Sequence, residues 1–273
     1  MSRALVLSGG GFAGAAWMVG VIEGLRERGI DLGDTHVIVG TSGGARTGVQ
    51  LATGTVEEVA AMYRRGDAPA GDAPVSLDKF VEASMQIFSE VQGREATRRI
   101  ANLEPLGDRL GNAAERRAVI AAHLPVQEWP DTRLAVVAVD AETGDRVVFE
   151  AGSGVPLLDA VTASGALPGI YPLVTIDGRR YADGGAHSPF SADLAAGHDA
   201  VAVLSPLRLN PFLQAQLDAE LATLDTATVS LIVADQESLA AIGPDPLSVD
   251  TVPAAVDAGV AQAQGAEIVW ISA

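Results

Sequence analysis

Gly40-Thr41-Ser42-Gly43-Gly44 sets a serine between glycines at the spacing of a hydroxyl nucleophile carried on a strand-to-helix turn. The chemistry would be attack on an acyl carbonyl. Such a turn pushes the Ser42 Oγ clear of a sheet, and Gly40 and Gly44 carry no Cβ where the chain doubles back. The following helix would aim its N-terminus at the serine, where its dipole favours developing negative charge. Alone, the pentapeptide fits a plain turn of small residues equally well, so its meaning depends on what else the chain supplies.

Two further stretches bear on that question. Ser8-Gly9-Gly10-Gly11-Phe12-Ala13-Gly14 closes an apolar run and opens a helical pattern, so its backbone N–H groups could cradle an anion. Aimed at Ser42, they would form an oxyanion hole. Gly9, Gly11 and Gly14 also satisfy the dinucleotide fingerprint, which needs an acidic residue at the end of the second strand to hold a ribose. That strand ends in Val39-Gly40-Thr41-Ser42, whereas Asp31 and Asp34 precede it, at the wrong end. Asp183-Gly184-Gly185 follows a short strand pattern. By itself an Asp-Gly pair is an ordinary turn, but here it would set a carboxylate where close approach is possible.

The elements that must position these residues read as a parallel α/β sheet. Residues 4–7 and 36–39 are buried-strand runs, each broken by a glycine-rich turn and followed by a helical pattern, the second over about 45–51. Strands resume at 134–139 and 146–150 around a hairpin turn at 142–145, then at 180–182, 200–204 and 229–233, with 267–271 as a final strand. Helices are expected over 156–164 and 254–263. Residues 66–75 duplicate Gly-Asp-Ala-Pro and read as a mobile loop, and 76–124 as mostly helical, with Phe80, Ile87, Phe88 and Val91 as anchors and Arg94, Arg98 and Arg99 on a polar face. The whole of 1–273 is expected to be one domain with a helical cap insertion at 55–125. Phe80, Met85, Ile87 and Phe88 fit either an acyl-chain channel or lid or ordinary packing of that cap.

Charge narrows the partners. Thirty-five acidic residues against 18 basic ones give a net charge of −17, a poor surface for tracking a phosphate backbone, so no nucleic acid is expected. Such a chain is also repelled by anionic membranes, leaving at most peripheral contact. There is no cysteine, which excludes thiol catalysis, disulfides and Cys-based zinc or iron–sulfur sites, and His36, His123, His187 and His198 show no metal-ligand spacing. No metal or cofactor is expected. No apolar stretch reaches transmembrane length, and residues 4–7 are too short for a signal h-region, so the expected compartment is the cytoplasm.

Taken in order, four stretches resemble the patatin-like phospholipases, a family of acyl hydrolases: Gly9 to Gly14, Gly40 to Gly44, Ala163-Ser164-Gly165-Ala166-Leu167-Pro168 with Tyr171-Pro172, and Asp183-Gly184-Gly185. The resemblance implies a mostly parallel sheet sandwiched by helices and a serine–aspartate dyad acting on a lipid or other acyl ester. Ser42 would be the nucleophile and Asp183 the base, with the amides of Gly9, Gly10, Gly11 and Phe12 as the oxyanion hole. Gly14, Gly40, Gly44, Gly184 and Gly185 would support the motifs. The chain departs from the family at Ala13, where a basic residue is usual, and Arg46, in the first turn after the serine, is a candidate replacement. Ala13 also motivates an alternative: a catalytically weak relative that binds an acyl ligand or a protein partner. A triad from Ser42, Asp140 and His187 or His198 has the right order formally, but no histidine follows the final strand.

Overall fold

The computed structural model describes residues 1–68, 77–106, 111–224 and 227–270. Among these, eight strands form one sheet: β1 (Arg3–Leu7), β2 (Val37–Thr41), β3 (Leu134–Asp140), β4 (Arg146–Phe149), β5 (Val174–Ile176), β6 (Arg179–Asp183), β7 (Ala200–Ser205) and β8 (Thr228–Val233). The order is β5-β6-β3-β2-β1-β7-β8, with β4 paired to β3. From β3 to β8 every pairing is parallel; β4, β5 and β6 add antiparallel pairings at one side.

β1, β2, β3 and β7 are buried along their whole length, because both faces of the sheet are covered. Alternate residues serve the two faces. Leu5, Leu7, Ile38, Val136 and Leu204 pack under helices α1 (Gly11–Glu27), α2 (Gly43–Ala52) and α10 (Val252–Gly265). Val6, Val39, Val137 and Val203 face the opposite layer, which includes Ala192, Ala195 and Leu224. α1 is buried nearly all round, as its run of Ala, Val and Gly requires.

The register around β3 positions the site. Val136 and Val137 pair with β2 on one side and with β4 on the other, while Ala138 and Val139 pair with β4 and β6. β2 and β6 therefore share one edge of β3. β2 runs parallel to β3 and β6 antiparallel, so the two strands run toward each other and meet end to end: Thr41 is opposite Val137 and Asp183 opposite Ala138.

Between β2 and β3 lie α3 (Val56–Arg64), α4 (Leu77–Glu90), α5 (Gly93–Ala101) and α6 (Ala113–Ala122). α3 packs on α1 and α10, α6 packs on α7 (Leu157–Ser164), and α4 packs on α5. Arg94, Arg98 and Arg99 are exposed, and Phe80 is buried with Ile87, Phe88 and Val91 partly so. Most of the Gly-Asp-Ala-Pro duplication lies outside the described residues.

Among the described residues, β5, α8 (Pro211–Leu221) and α9 (Gln236–Ile242) have no counterpart in the sequence reading. The expected final strand does not form over its described part, 267–270. That segment is tied by side chains instead: the Val269 N–H donates to Ser230 Oγ at 2.9 Å and Trp270 Nε1 to Asp31 O at 2.9 Å. Among the described residues no helix is long and apolar enough to cross a membrane.

Candidate active site

Ser42 sits between β2 and α2 with φ 54° and ψ −118°. A positive φ at a non-glycine residue is strained, by ~1–3 kcal/mol, and persists only where the surroundings enforce it. Here the surroundings are glycine contacts. A Cβ at Gly40 would lie 2.6 Å from Ala45 Cα, one at Gly44 would collide with Leu7 O, and one at Gly43 with Gly11 O. The serine turn and the Gly9–Gly11 loop thus touch backbone to backbone.

The strained turn leaves the Ser42 N–H without a helical or ladder acceptor. It donates to Ser164 Oγ at 2.9 Å, and that hydroxyl donates to Val137 O at 2.6 Å. Two residues further on, Ala166 O accepts from the Asp183 N–H at 2.9 Å. The last residue of α7 and the turn just after it therefore hold the backbones of both Ser42 and Asp183.

Asp183 ends β6 and is 1% exposed. Its Oδ1 accepts from the Gly185 N–H at 2.7 Å, while Oδ2 is buried and makes no well-formed hydrogen bond. Burial pushes the carboxyl up to about 6, against the Gly185 N–H, the neighbouring Ser42 hydroxyl and the positive fields of Arg116 and Arg46, which hold it down. Gly184 packs on Val137 O, where a Cβ would lie 2.7 Å away.

In the glycine-rich loop the four amides differ. The Gly9 N–H donates to Pro189 O at 2.8 Å, and the Phe12 N–H to Pro246 O at 2.8 Å. Those of Gly10 and Gly11 have no hydrogen-bond partner among the described residues. Four candidate donors are thereby reduced to two. Gly11 needs its glycine: its φ is 65°, and a Cβ would run into Pro246 O. Gly14 lets α1 approach Pro206, whose Cγ would be 2.7 Å from a Cβ.

Ser42, Asp183 and residues 9–12 line one cavity, whose empty space, counted out into the open solvent at its mouth, is about 1020 Å³. Its outer walls are apolar: Leu77, Phe80 and Phe88 of α4 face Phe212 and Leu213 of α8. The Phe88 and Phe212 rings meet at a tilt, with centroids 5.3 Å apart and planes at 44°. His187 also lines the cavity, and burial with the field of Arg146 lowers its pKa. Asp140, the formal triad carboxylate, is engaged elsewhere, accepting from the Glu142 and Thr143 N–H groups and from Arg179. His198 Nδ1 lies 3.0 Å from Ala195 O, and His198 does not line the cavity.

Sequence reasoning assigned no role to Ser164 or Arg116. Ser164 lies in a quoted stretch, but its use depends on an orphaned amide that only the turn geometry reveals. Arg116 had a usable signal, since it lies one helical turn before Ile120, on the face that α6 buries. Arg46 reaches the site: its Nη2 donates to Gly11 O at 2.7 Å.

A family model described as patatin-like phospholipase matches residues 5–196. The chain is 32% identical over 197 residues to an uncharacterized NTE family protein of Mycobacterium tuberculosis, and equally to one of Mycobacterium bovis. The match covers 72% of this chain and 46% of those proteins, so the chain spans about half the length of the curated relatives it matches. Among solved structures, it is similar to VipD from Legionella pneumophila (TM-score 0.46, 14% identity, 96% of this chain and 66% of that one). It is also similar to the type III effector protein ExoU (TM-score 0.39, 14% identity, 96% and 53%). On the sequence match across residues 5–196, the chain belongs to the patatin-like phospholipase family.

Proposed function

We propose that the chain is a serine-dependent lipid acyl-ester hydrolase working through Ser42 and Asp183. The observation that carries this reading is the end-to-end meeting of β2 and β6, which brings a strained serine and a buried carboxyl together on the floor of an apolar cavity. Asp183 takes the Ser42 proton as Oγ bonds to the acyl carbon, and the Gly10 and Gly11 N–H groups stabilise the oxyanion. The oxyanion collapses, the ester C–O bond breaks, and the departing alkoxide takes the proton from Asp183, leaving an acyl-serine. Asp183 then deprotonates a water that attacks the acyl carbon; the Oγ–C bond breaks, Ser42 recovers its proton and the carboxylic acid leaves. A carboxyl with a pKa near 6 is mostly ionised at neutral pH yet far more basic than an ordinary aspartate, which suits a general base. The family and the apolar walls favour a lipid acyl group.

Hydrolysis of p-nitrophenyl butyrate tests the proposal. Ser42→Ala and Asp183→Asn are expected to lower kcat by about 10³-fold or more, and His187→Ala to retain most of it. Full turnover by Ser42→Ala overturns the mechanism, and collapse in His187→Ala favours a histidine-dependent one. An inert wild type that still binds butyrate esters would support the acyl-binding alternative.

A further inference from the structure

The first turn of α1 is capped from a distance, and the hydrolytic mechanism gives the cap no role. The Gly14 N–H closes the helix on Gly10 O at 2.9 Å, which leaves the Gly11, Phe12 and Ala13 amides without helical acceptors. A side chain at the N-cap would ordinarily take one of them, but the N-cap here is Gly10. The carbonyl of Pro246 does so instead, accepting from Phe12 at 2.8 Å and from Ala13 at 3.0 Å. The same oxygen lies where a Cβ on Gly11 would go. One carbonyl thus decides which amides of the loop are spent inside the protein and which remain on the cavity wall.

What holds that carbonyl is a tight turn on a rigid mount. The Ser248 N–H donates to Asp245 O at 3.1 Å, closing a four-residue turn, and the Leu247 N–H donates to Asp245 Oδ1 at 3.1 Å. Asp245 therefore ties the turn with both its main chain and its side chain, and Pro246 sits at the second position, where its ring pre-sets φ. The turn belongs to the connection between α9 and α10, closed at its base by Thr251 Oγ1 donating to Ile242 O at 2.9 Å. α10 lies backbone to backbone against α1: a Cβ at Gly20 would strike Val256 O, and one at Gly259 would strike Trp17 O. The turn and the helix start it caps are thereby mounted on one packed pair. Leu247, just past the carbonyl, is buried and lines the cavity.

We infer that Asp245 is a positioning residue for the oxyanion hole: it holds the Pro246 carbonyl on the Phe12 and Ala13 amides, so that the Gly10 and Gly11 amides alone are presented to the substrate oxygen. The inference rests on the reading of Gly10 and Gly11 as that hole, but the clamp itself can be measured without turnover. Hydrogen exchange read by NMR should show the Phe12 and Ala13 amides of Asp245→Ala losing protection by about tenfold or more. In the same variant kcat for p-nitrophenyl butyrate should fall about tenfold or more, with KM changed less than about twofold. Butylboronic acid should bind at least about tenfold more weakly: Ser42 Oγ adds to its boron, the proton passes to Asp183, and the tetrahedral boronate needs the same two donors. The midpoint of kcat/KM near pH 6 should stay in place, because the burial of Asp183 is untouched. Asp245→Asn keeps an oxygen that can accept from Leu247 and should restore most of the lost rate. Should Asp245→Ala fail to fold, Pro246→Gly is the second variant; it keeps the carbonyl, frees φ, and should move protection, kcat and boronate affinity in the same direction. Unchanged protection at Phe12 and Ala13 overturns the clamp. Lost protection with kcat and boronate affinity intact overturns its role in the hole, as does a pH midpoint that shifts with them, which marks general loosening of the site. Asp245→Asn as slow as Asp245→Ala overturns the hydrogen-bond argument. A wild type that hydrolyses no ester, with protection still lost in Asp245→Ala, would count against the hydrolase alone.

Discussion

The hydroxyl of Ser164 accepts from the backbone N–H of Ser42 at 2.9 Å and donates to Val137 O at 2.6 Å, so one small side chain satisfies two buried groups at the centre of the site. Ser164→Ala should leave both unpaired, at ~1–3 kcal/mol each, and release the positive-φ turn that presents Ser42. Urea unfolding should show a loss of about 2–4 kcal/mol. The kcat for p-nitrophenyl butyrate should fall about tenfold or more, while the protein still folds.

Asp183 should set the pH dependence. Its folded pKa, raised to about 6 by burial, lies above the ordinary carboxylate value. With Asp183 as base, kcat/KM rises with pH and levels off above a midpoint near 6. The stability effect has the opposite sign. Between roughly pH 4 and 6 the folded state holds this proton more tightly than the unfolded one, so its contribution is full below that window and is lost as pH rises through it. Asp183→Asn has no charge to bury. It should match the wild type near pH 4 and exceed it at pH 8, by on the order of 2–3 kcal/mol, while being nearly inactive. Chemical denaturation at the two pH values checks this.

The contact between the two glycine-rich turns should tolerate no added atom. Gly43→Ala puts a Cβ against Gly11 O and must separate the serine from the Gly10 and Gly11 amides. Activity should drop about 10²-fold or more, the scale of a lost oxyanion donor. Gly29→Ala is the control: its φ is also positive, 78°, but nothing lies within 4 Å of the new Cβ. It should lose about 1 kcal/mol of stability and keep its activity.

How much of this was legible in the sequence depends on what each feature rests on. β1, β2, β3 and β7 stand out because strands buried on both faces must be unbroken apolar runs. α8 was missed because, among its eleven residues, only Leu217 is buried, so no apolar stripe marks it. β5 is three residues long, too short to show alternation. Glycine spacing pointed to Ser42 and Asp183, but their meeting depends on β6 entering antiparallel on the edge that β2 already occupies, which no local pattern encodes. The spacing from Ile120 could place Arg116 on the buried face of α6, but its ring partners Phe12 and Tyr171 are distant in sequence and meet it only in the fold. The loop amides could be counted from sequence, but which of them are free depends on Pro189 and Pro246.

The aromatic pair at the outer walls should set the preference for acyl length. Phe88 of α4 and Phe212 of α8 line the cavity and meet as a tilted ring pair. Phe88→Ala should remove apolar contact from long chains and leave short ones nearly unaffected. The KM for p-nitrophenyl decanoate should rise about five- to tenfold, equivalent to ~1–1.4 kcal/mol, with that for the acetate little changed.

The most direct test of the central claim is covalent labelling by a fluorophosphonate, located by peptide mass spectrometry and timed in the wild type and in Asp183→Asn. A reactive Ser42 with Asp183 as its base predicts one adduct, on Ser42, forming at least about 10²-fold more slowly in Asp183→Asn. An adduct elsewhere with Ser42 unmodified, or equal labelling rates in the two proteins, would contradict it.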